Sequence, residues 1–239
     1  MAKNADFEYV GGELELFAHA TTWKEYWSRV FRPYMAGDVL EVGAGMGSNT
    51  ALLRSASQGK WTCLEPDPKL VSKLHEALAE KRIKDSCRVV TGTISNLGAQ
   101  ELFDTILYVD VLEHIEDDRA ELTRAANHLR PNGRVIVLSP AYQWLYSEFD
   151  KSIGHCRRYA RRTLLAVSPD SLRLIRCFYL DSCGLIASLA NRLFLRQSLP
   201  TERQILFWDR TVVPVSRLLD PFLLHKAGKS IIAVWQRVD

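Results

Sequence analysis

From residue 38 to residue 140 the chain alternates short apolar runs with longer mixed stretches. Asp38–Val42, Lys60–Leu64, Arg88–Val90, Asp104–Val109 and Arg134–Leu138 are short, apolar and rich in branched residues, and so read as strands. Ser48–Ser57, Pro68–Lys81 and Asp118–Leu129 are long enough for helices, and Pro131-Asn132-Gly133 marks the return to a strand. Such alternation predicts right-handed crossovers and a parallel sheet covered by helices on both faces. Ahead of it, Trp23, Tyr26, Trp27, Val30 and Phe31 fall near helical spacing, so residues 1–36 read as a helical preface or lid. Beyond Pro140 the pattern loosens, then recovers at Leu172–Leu180 and Ser230–Trp235, two further strands separated by an irregular, partly helical segment.

Composition narrows the class. With 239 residues, 47% of them hydrophobic, the chain can build one large domain with a substantial core, which excludes wholesale disorder. A net charge of +3 is too weak to argue for nucleic acid, and no nucleic-acid partner is expected. No apolar stretch follows Lys3, and the longest uncharged run, Val135–Ser147, falls short of the roughly 18 to 20 residues a membrane span needs. Five cysteines with no C-x-x-C pair suggest neither a disulfide framework nor zinc, and fit a reducing cytoplasm.

The most informative stretch runs Val39-Leu40-Glu41-Val42-Gly43-Ala44-Gly45-Met46-Gly47-Ser48-Asn49. A strand ending in Gly-x-Gly-x-Gly lets the backbone turn tightly and approach a ligand without interference from Cβ atoms. Glu65, placed at the end of the second strand, can accept hydrogen bonds from both hydroxyls of a ribose. A dinucleotide loop would read G-x-G-x-x-G, whereas here the third glycine comes one residue early. Glu41, two residues before the first glycine, is unwelcome near a pyrophosphate and sensible near an ammonium or sulfonium group.

This E-x-G-x-G-x-G pattern resembles the first motif of the class I S-adenosylmethionine-dependent methyltransferases, and the resemblance extends over about residues 38–140. Phe103–Ile115 is similar to the family's fourth-strand segment, and Leu129–Val135 to the start of its fifth strand. The resemblance implies a doubly wound, Rossmann-like α/β fold with a mostly parallel seven-stranded sheet and an antiparallel last strand. Residues 37–182 would form the cofactor-binding core, with an acceptor-binding insertion at about 141–168, and residues 183–239 would complete the same domain. It implies S-adenosyl-L-methionine as cofactor. Glu41, Gly43, Ala44, Gly45, Gly47 and Asn49 would surround its methionine part, Glu65 its ribose, and Asp110 the rim of the transfer pocket. Where the family often has an acid near the adenine, this chain reads Gly92-Thr93-Ile94-Ser95, so backbone groups and Ile94 packing would serve instead.

Methyl transfer asks the protein to align an acceptor and, for a hydroxyl, to remove its proton, work for which histidine is readily tuned. Two histidines are candidates. His114 would share a helical face with Asp110 if Asp110–Ile115 begins a helix. His155 lies in Asp150-Lys151-Ser152-Ile153-Gly154-His155-Cys156-Arg157-Arg158-Tyr159, which resembles the Gly-His-x-Arg-Arg-Tyr segment of a bacterial subgroup associated with envelope glycan and lipid pathways. The cations of this run, Arg157 and Arg158 among them, could hold a phosphate, a carboxylate or an anionic lipid, or face water opposite counter-charges elsewhere. Tyr146 and Tyr159 join them as acceptor-binding candidates, and Tyr9 and His19 as lid residues. Aromatic residues near both regions, including Phe17, Trp23, Trp27, Tyr142, Trp144 and Phe149, could roof the pocket or form core. No metal-ligand spacing stands out, so metal-independent transfer is expected. Residues 183–224 alternate apolar turns with arginines, as in a peripheral surface at the inner face of the membrane or a buried insertion over the acceptor. The expected function is methylation, most readily at oxygen, of a small-molecule or lipid- or glycan-linked acceptor. An inactive cofactor-binding or membrane-associated protein of the same fold is the alternative.

Overall fold

The structure is a computed structural model that describes residues 13–83, 87–192 and 201–238. Helices α1 (Glu13–Ala18) and α2 (Thr21–Phe31) lead into strand β1 (Val39–Val42). Helix α3 (Ser48–Leu53), β2 (Trp61–Glu65), α4 (Pro68–Ala79), β3 (Arg88–Thr91), β4 (Phe103–Val109), α5 (Asp118–Asn127) and β5 (Leu129–Pro140) follow. Short helices α6 (Glu148–Ser152) and α7 (Arg161–Ala166) precede β6 (Leu172–Leu180). Helices α8 (Ser182–Ala190), α9 (Glu202–Phe207) and α10 (Val213–Phe222) then lead to β7 (Ser230–Arg237). The strand order is β3-β2-β1-β4-β5-β7-β6. Strands β1 to β5 pair in parallel, and β7 runs antiparallel to both β5 and β6, as expected.

Alternating residues of each strand feed two cores. Leu40, Val42, Ile106, Tyr108, Val135 and Val137 pack on one face with Leu122, Ala125 and Ala126 of α5. Val39, Cys63, Leu107, Val109, Ile136 and Leu138 pack on the other with α2 and α4. The preface reading corresponds to α2, whose Trp23, Tyr26, Trp27 and Phe31 are buried there. Burial on both faces explains the near-continuous apolar runs.

Three local expectations need correction. The helix expected over Ser48–Ser57 stops at Leu53 and tightens into a 3₁₀ turn at Arg54–Ala56. Pro131-Asn132-Gly133 does not precede β5 but bulges within it, since Phe103 pairs with Leu129 while Thr105 pairs with Arg134, and Asn132 has φ +64°. Asp110–Ile115 is no α-helix: Asp110 has φ +54°, and only Leu112–His114 winds, as a 3₁₀ turn. Asp110 and His114 therefore do not meet by helical spacing.

Buried aspartates tie the C-terminal helices to the rest. Asp209 accepts the backbone N–H groups of Thr22 and Trp23 at 3.2 and 2.8 Å, closing the start of α2. Asp220 accepts from Tyr26 Oη, Asp181 N and Ser182 N at 2.7–3.0 Å. Asp181 in turn accepts from Ser216 Oγ and Trp208 Nε1 and caps α8 through Gly184 N. Gly184 is required there, because a Cβ would sit 1.8 Å from the Asp181 carboxylate. Asp209→Ala strands two α2 amides and is expected to lower unfolding free energy by roughly 2 to 4 kcal/mol in a urea titration.

Candidate active site

The order of the sheet reverses between β1 and β4, and the loops leaving these strands open a crevice at their carboxyl ends. A cavity of about 1200 Å³ fills it, larger than the roughly 300–1,000 Å³ of a single-ligand pocket. The Gly-x-Gly-x-Gly loop forms one wall through Gly43, Ala44, Gly45, Met46, Ser48 and Asn49. Gly43 and Ala44 donate to Leu64 O at 2.8 and 3.1 Å, which fixes the turn against β2. At Gly45, φ is +58° and a Cβ would meet nothing nearer than Leu14 Cδ1 at 4.0 Å, so any side chain there would occupy the open cradle. Gly47 does not line the cavity. It is glycine because φ is +83° and a Cβ would stand 2.5 Å from Leu74 Cδ1.

The two motif acids differ. Glu65 lies on the cavity wall, its Oε2 accepting Gly45 N at 2.8 Å and its Oε1 accepting Asp67 N at 3.0 Å. Each oxygen keeps acceptor capacity for a further donor such as a ribose hydroxyl. Burial raises its pKa against those two bonds. Glu41 lies behind the loop rather than on the wall. Thr50 Oγ1 and Trp61 Nε1 both donate to its Oε2, at 2.6 and 3.0 Å, while Oε1 is buried without a hydrogen-bond partner. Burial pushes its pKa up to about 7.

Across the crevice, Asp110, Glu113, His114 and His155 face the same cavity. Asp110 is exposed to it from a left-handed backbone, and desolvation by the surrounding protein raises its pKa to about 6 against the pull of His155, Lys229 and Lys24. Asp150, fully buried, accepts Nδ1–H of His155 at 2.9 Å and a two-point contact from Arg158 at 2.7 and 2.9 Å. Burial works to raise the Asp150 pKa, but these bonds outweigh it and hold the group well below the usual carboxylate range. An ionised Asp150 fixes the His155 tautomer, leaving Nε2 as the acceptor nitrogen, 3.8 Å from Glu113 Oε1. Tyr146 Oη donates to His155 O at 2.6 Å and pins the loop. Burial, and then His155, depress the His114 pKa to about 4. Ser139 Oγ holds Glu113 Oε2 at 2.9 Å, and burial raises the Glu113 pKa well above its usual value. Glu113, His114 and His155 each present a ligand atom within 4.8 Å of the others, a donor set that could hold a divalent metal.

Other expected residues are placed elsewhere. Ile94 is fully buried in the core, and its neighbours Thr93 and Ser95 face the cavity instead. Arg157 and Tyr159 do not line it: Asp118 takes Arg157 Nη1 at 2.5 Å and Tyr159 Oη at 2.6 Å. Arg158 reaches the wall, committed to Asp150. Arg157 is thus paired with Asp118 and Arg158 with Asp150. His19 is exposed and off the wall, and Tyr9 lies outside the described residues. Phe17, Trp23, Trp27, Tyr146 and Phe149 line the cavity, whereas Tyr142 stacks on Tyr179 at 5.1 Å. The sequence reading missed Lys24, Trp208 and Lys229, which come to this wall from opposite ends of the chain. Lys229 Nζ sits 4.3 Å over the Trp208 ring.

Glycine cradle, strand-end acid and reversed strand order define a nucleotide-binding α/β core. Residues 40–135 match the family model described as a methyltransferase domain. Over 110 residues the chain is 29% identical to a ubiquinone biosynthesis O-methyltransferase of Bradyrhizobium diazoefficiens, covering 44% of this chain and 41% of that protein. The chain thus matches about two fifths of that curated relative's length. Geranyl diphosphate C-methyltransferase of Streptomyces coelicolor superposes with a TM-score of 0.65 at 13% identity, covering 99% of this chain and 89% of that one. The N-methyltransferase NodS of Bradyrhizobium japonicum, solved with S-adenosyl-L-homocysteine, gives 0.56 at 14% identity, covering 91% and 87%. Residues 40–135 thus match a methyltransferase domain, and the chain shares the fold of solved methyltransferases, among them two held in complex with S-adenosyl-L-homocysteine.

Gly45→Val is expected to abolish calorimetric binding of S-adenosylhomocysteine without unfolding the domain, and Glu65→Ala to weaken it by roughly 1 to 3 kcal/mol. NADH is expected not to compete. Because folding raises the Glu41 pKa, the folded state binds the extra proton, so apo-protein stability falls as pH rises from the ordinary glutamate value to about 7. Glu41→Gln is expected to remove that fall, on the order of 3 kcal/mol, in melting curves compared across this window.

Proposed function

We propose that this chain transfers a methyl group to a hydroxyl oxygen of a small-molecule acceptor with a substantial apolar part, a lipid-linked or glycan-linked molecule being the class that fits best. The observation carrying this reading is the Asp150–His155 pair, with Nε2 on the cavity wall that also holds the glycine loop. Bound S-adenosylmethionine supplies an activated methyl on a positively charged sulfur. Gly43, Ala44, Gly45 and Asn49 hold its amino-acid part, Glu65 binds the ribose hydroxyls, and Thr93 and Ser95 border the base. Asp110 lines the rim where the acceptor approaches.

His155 Nε2 takes the acceptor's hydroxyl proton, and Asp150 stabilises the imidazolium that results. His114, with its pKa near 4, is neutral at physiological pH and a weak base, so it shapes the pocket beside His155, 4.6 Å away between ring centroids. The remaining wall, including Phe17, Trp23, Leu145, Phe149 and Ile205, excludes water and suits an apolar acceptor. Lys229 adds one positive charge to that wall.

Methyl transfer from labelled cofactor into an aqueous or lipid extract tests the reading; tight cofactor binding with no labelled product overturns it. His155→Ala is expected to lower kcat by about 10²- to 10⁴-fold with little change in cofactor affinity, and His114→Ala to have the smaller effect. Asp150→Asn is expected to lower kcat and displace the pH profile while leaving cofactor affinity intact, as fits a positioning residue. Activity is expected to survive EDTA; a loss that Mn²⁺ restores would instead make Glu113, His114 and His155 metal ligands.

A further inference from the structure

Helix α10 is amphipathic in the inverted sense. Its inward face carries Val213, Ser216 and Asp220, the last two hydrogen-bonded within the aspartate network. Its outward face carries Val215, Leu218, Leu219 and Phe222, spaced as one helical stripe, with Leu218 at 68% and Phe222 at 84% exposure. Leu223 and Leu224 continue the stripe, and Leu224 and His225 hold left-handed backbones, with φ +52° at each. Beside it α8 exposes Ile186 and Leu189, and α9 exposes Phe207. Nine of the eleven exposed large apolar side chains among the described residues fall between Ile186 and Leu224, which makes this a patch rather than scatter.

The exposed charges of this segment are predominantly positive. Arg203, Arg210, Arg217 and Lys226 are exposed, whereas Asp209 and Asp220 are buried and spent on internal donors, leaving Glu202 as the exposed acid of residues 201–226. A two-fold contact between copies would set the same patch, with its own arginines, against itself. An anionic lipid surface supplies the complementary charge and an apolar layer for the leucines and Phe222. No helix among the described residues is long and apolar enough to cross a membrane.

We infer that α8, α9 and α10 form a docking surface for an anionic bilayer and bring the cavity mouth to the headgroup layer. Phe207 belongs both to the exposed patch and to the cavity lining, and Ala187 and Ser188 line the cavity from the inner side of α8. The inference rests on surface chemistry and stands apart from the identity of the acceptor.

The test mixes the full chain with phosphatidylcholine vesicles, and with vesicles containing about a quarter phosphatidylglycerol, and reads binding by co-sedimentation. Binding to the anionic vesicles that weakens with salt is expected. Leu218→Glu/Phe222→Glu is expected to weaken it at least roughly tenfold. Arg203→Gln/Arg210→Gln/Arg217→Gln is expected to weaken it on the order of a hundredfold. Both variants are expected to keep wild-type affinity for S-adenosylhomocysteine, which separates lost docking from lost folding. Wild-type protein that sediments with neither vesicle overturns the inference. A wild-type dimer that Leu218→Glu/Phe222→Glu turns into monomer, with no vesicle binding, overturns it in favour of a second copy of the chain.

Discussion

A carboxylate removed from water must be repaid by donors, and this protein removes many. Asp150, Asp181, Asp209 and Asp220 are all buried and each receives two or more hydrogen bonds, so these groups act as fasteners between segments far apart in sequence. Glu41 and Glu113 are as deeply buried, yet each retains an oxygen without a hydrogen-bond partner. The satisfied acids hold the frame on which the cavity is built, and the unsatisfied ones sit within or immediately behind that cavity.

The same accounting explains why one basic stretch gives two outcomes. His155 and Arg158 converge on Asp150, which places an oriented imidazole on the cavity wall. Arg157 and Tyr159 converge on Asp118 and are withdrawn from it. Which neighbour a side chain serves is decided by the acid it reaches, and Asp118 belongs to a helix about forty positions earlier.

The sheet was legible because its central strands β1, β2 and β4 are buried on both faces and the stretches between strands are long enough for helices. The cradle was legible because Gly43 and Gly45 need backbone conformations that other residues resist. What escaped had no local signature. Asp110 adopts a left-handed backbone where helical spacing would have set it beside His114, and Ile94 turns into the core between two residues that face the cavity. Lys24 and Lys229 stand more than two hundred positions apart and meet only through the tertiary fold. Asp150 does have a local signal, the Ser147-to-Asp150 capping box of α6, but that pattern speaks of a helix start rather than of a partner for His155.

Strand β7 enters the sheet between β5 and β6, and among the described residues β6 pairs with no other strand. During synthesis β6 is therefore made before the strand that attaches it, and the exposed edge of β5 stays open until β7 emerges. The nascent protein can finish its nucleotide cradle from β1 to β4 early, while the wall that carries Lys229 waits for the final pairing. A chaperone that shields the β5 edge during translation would protect the stage at which this fold is most open to pairing with another chain.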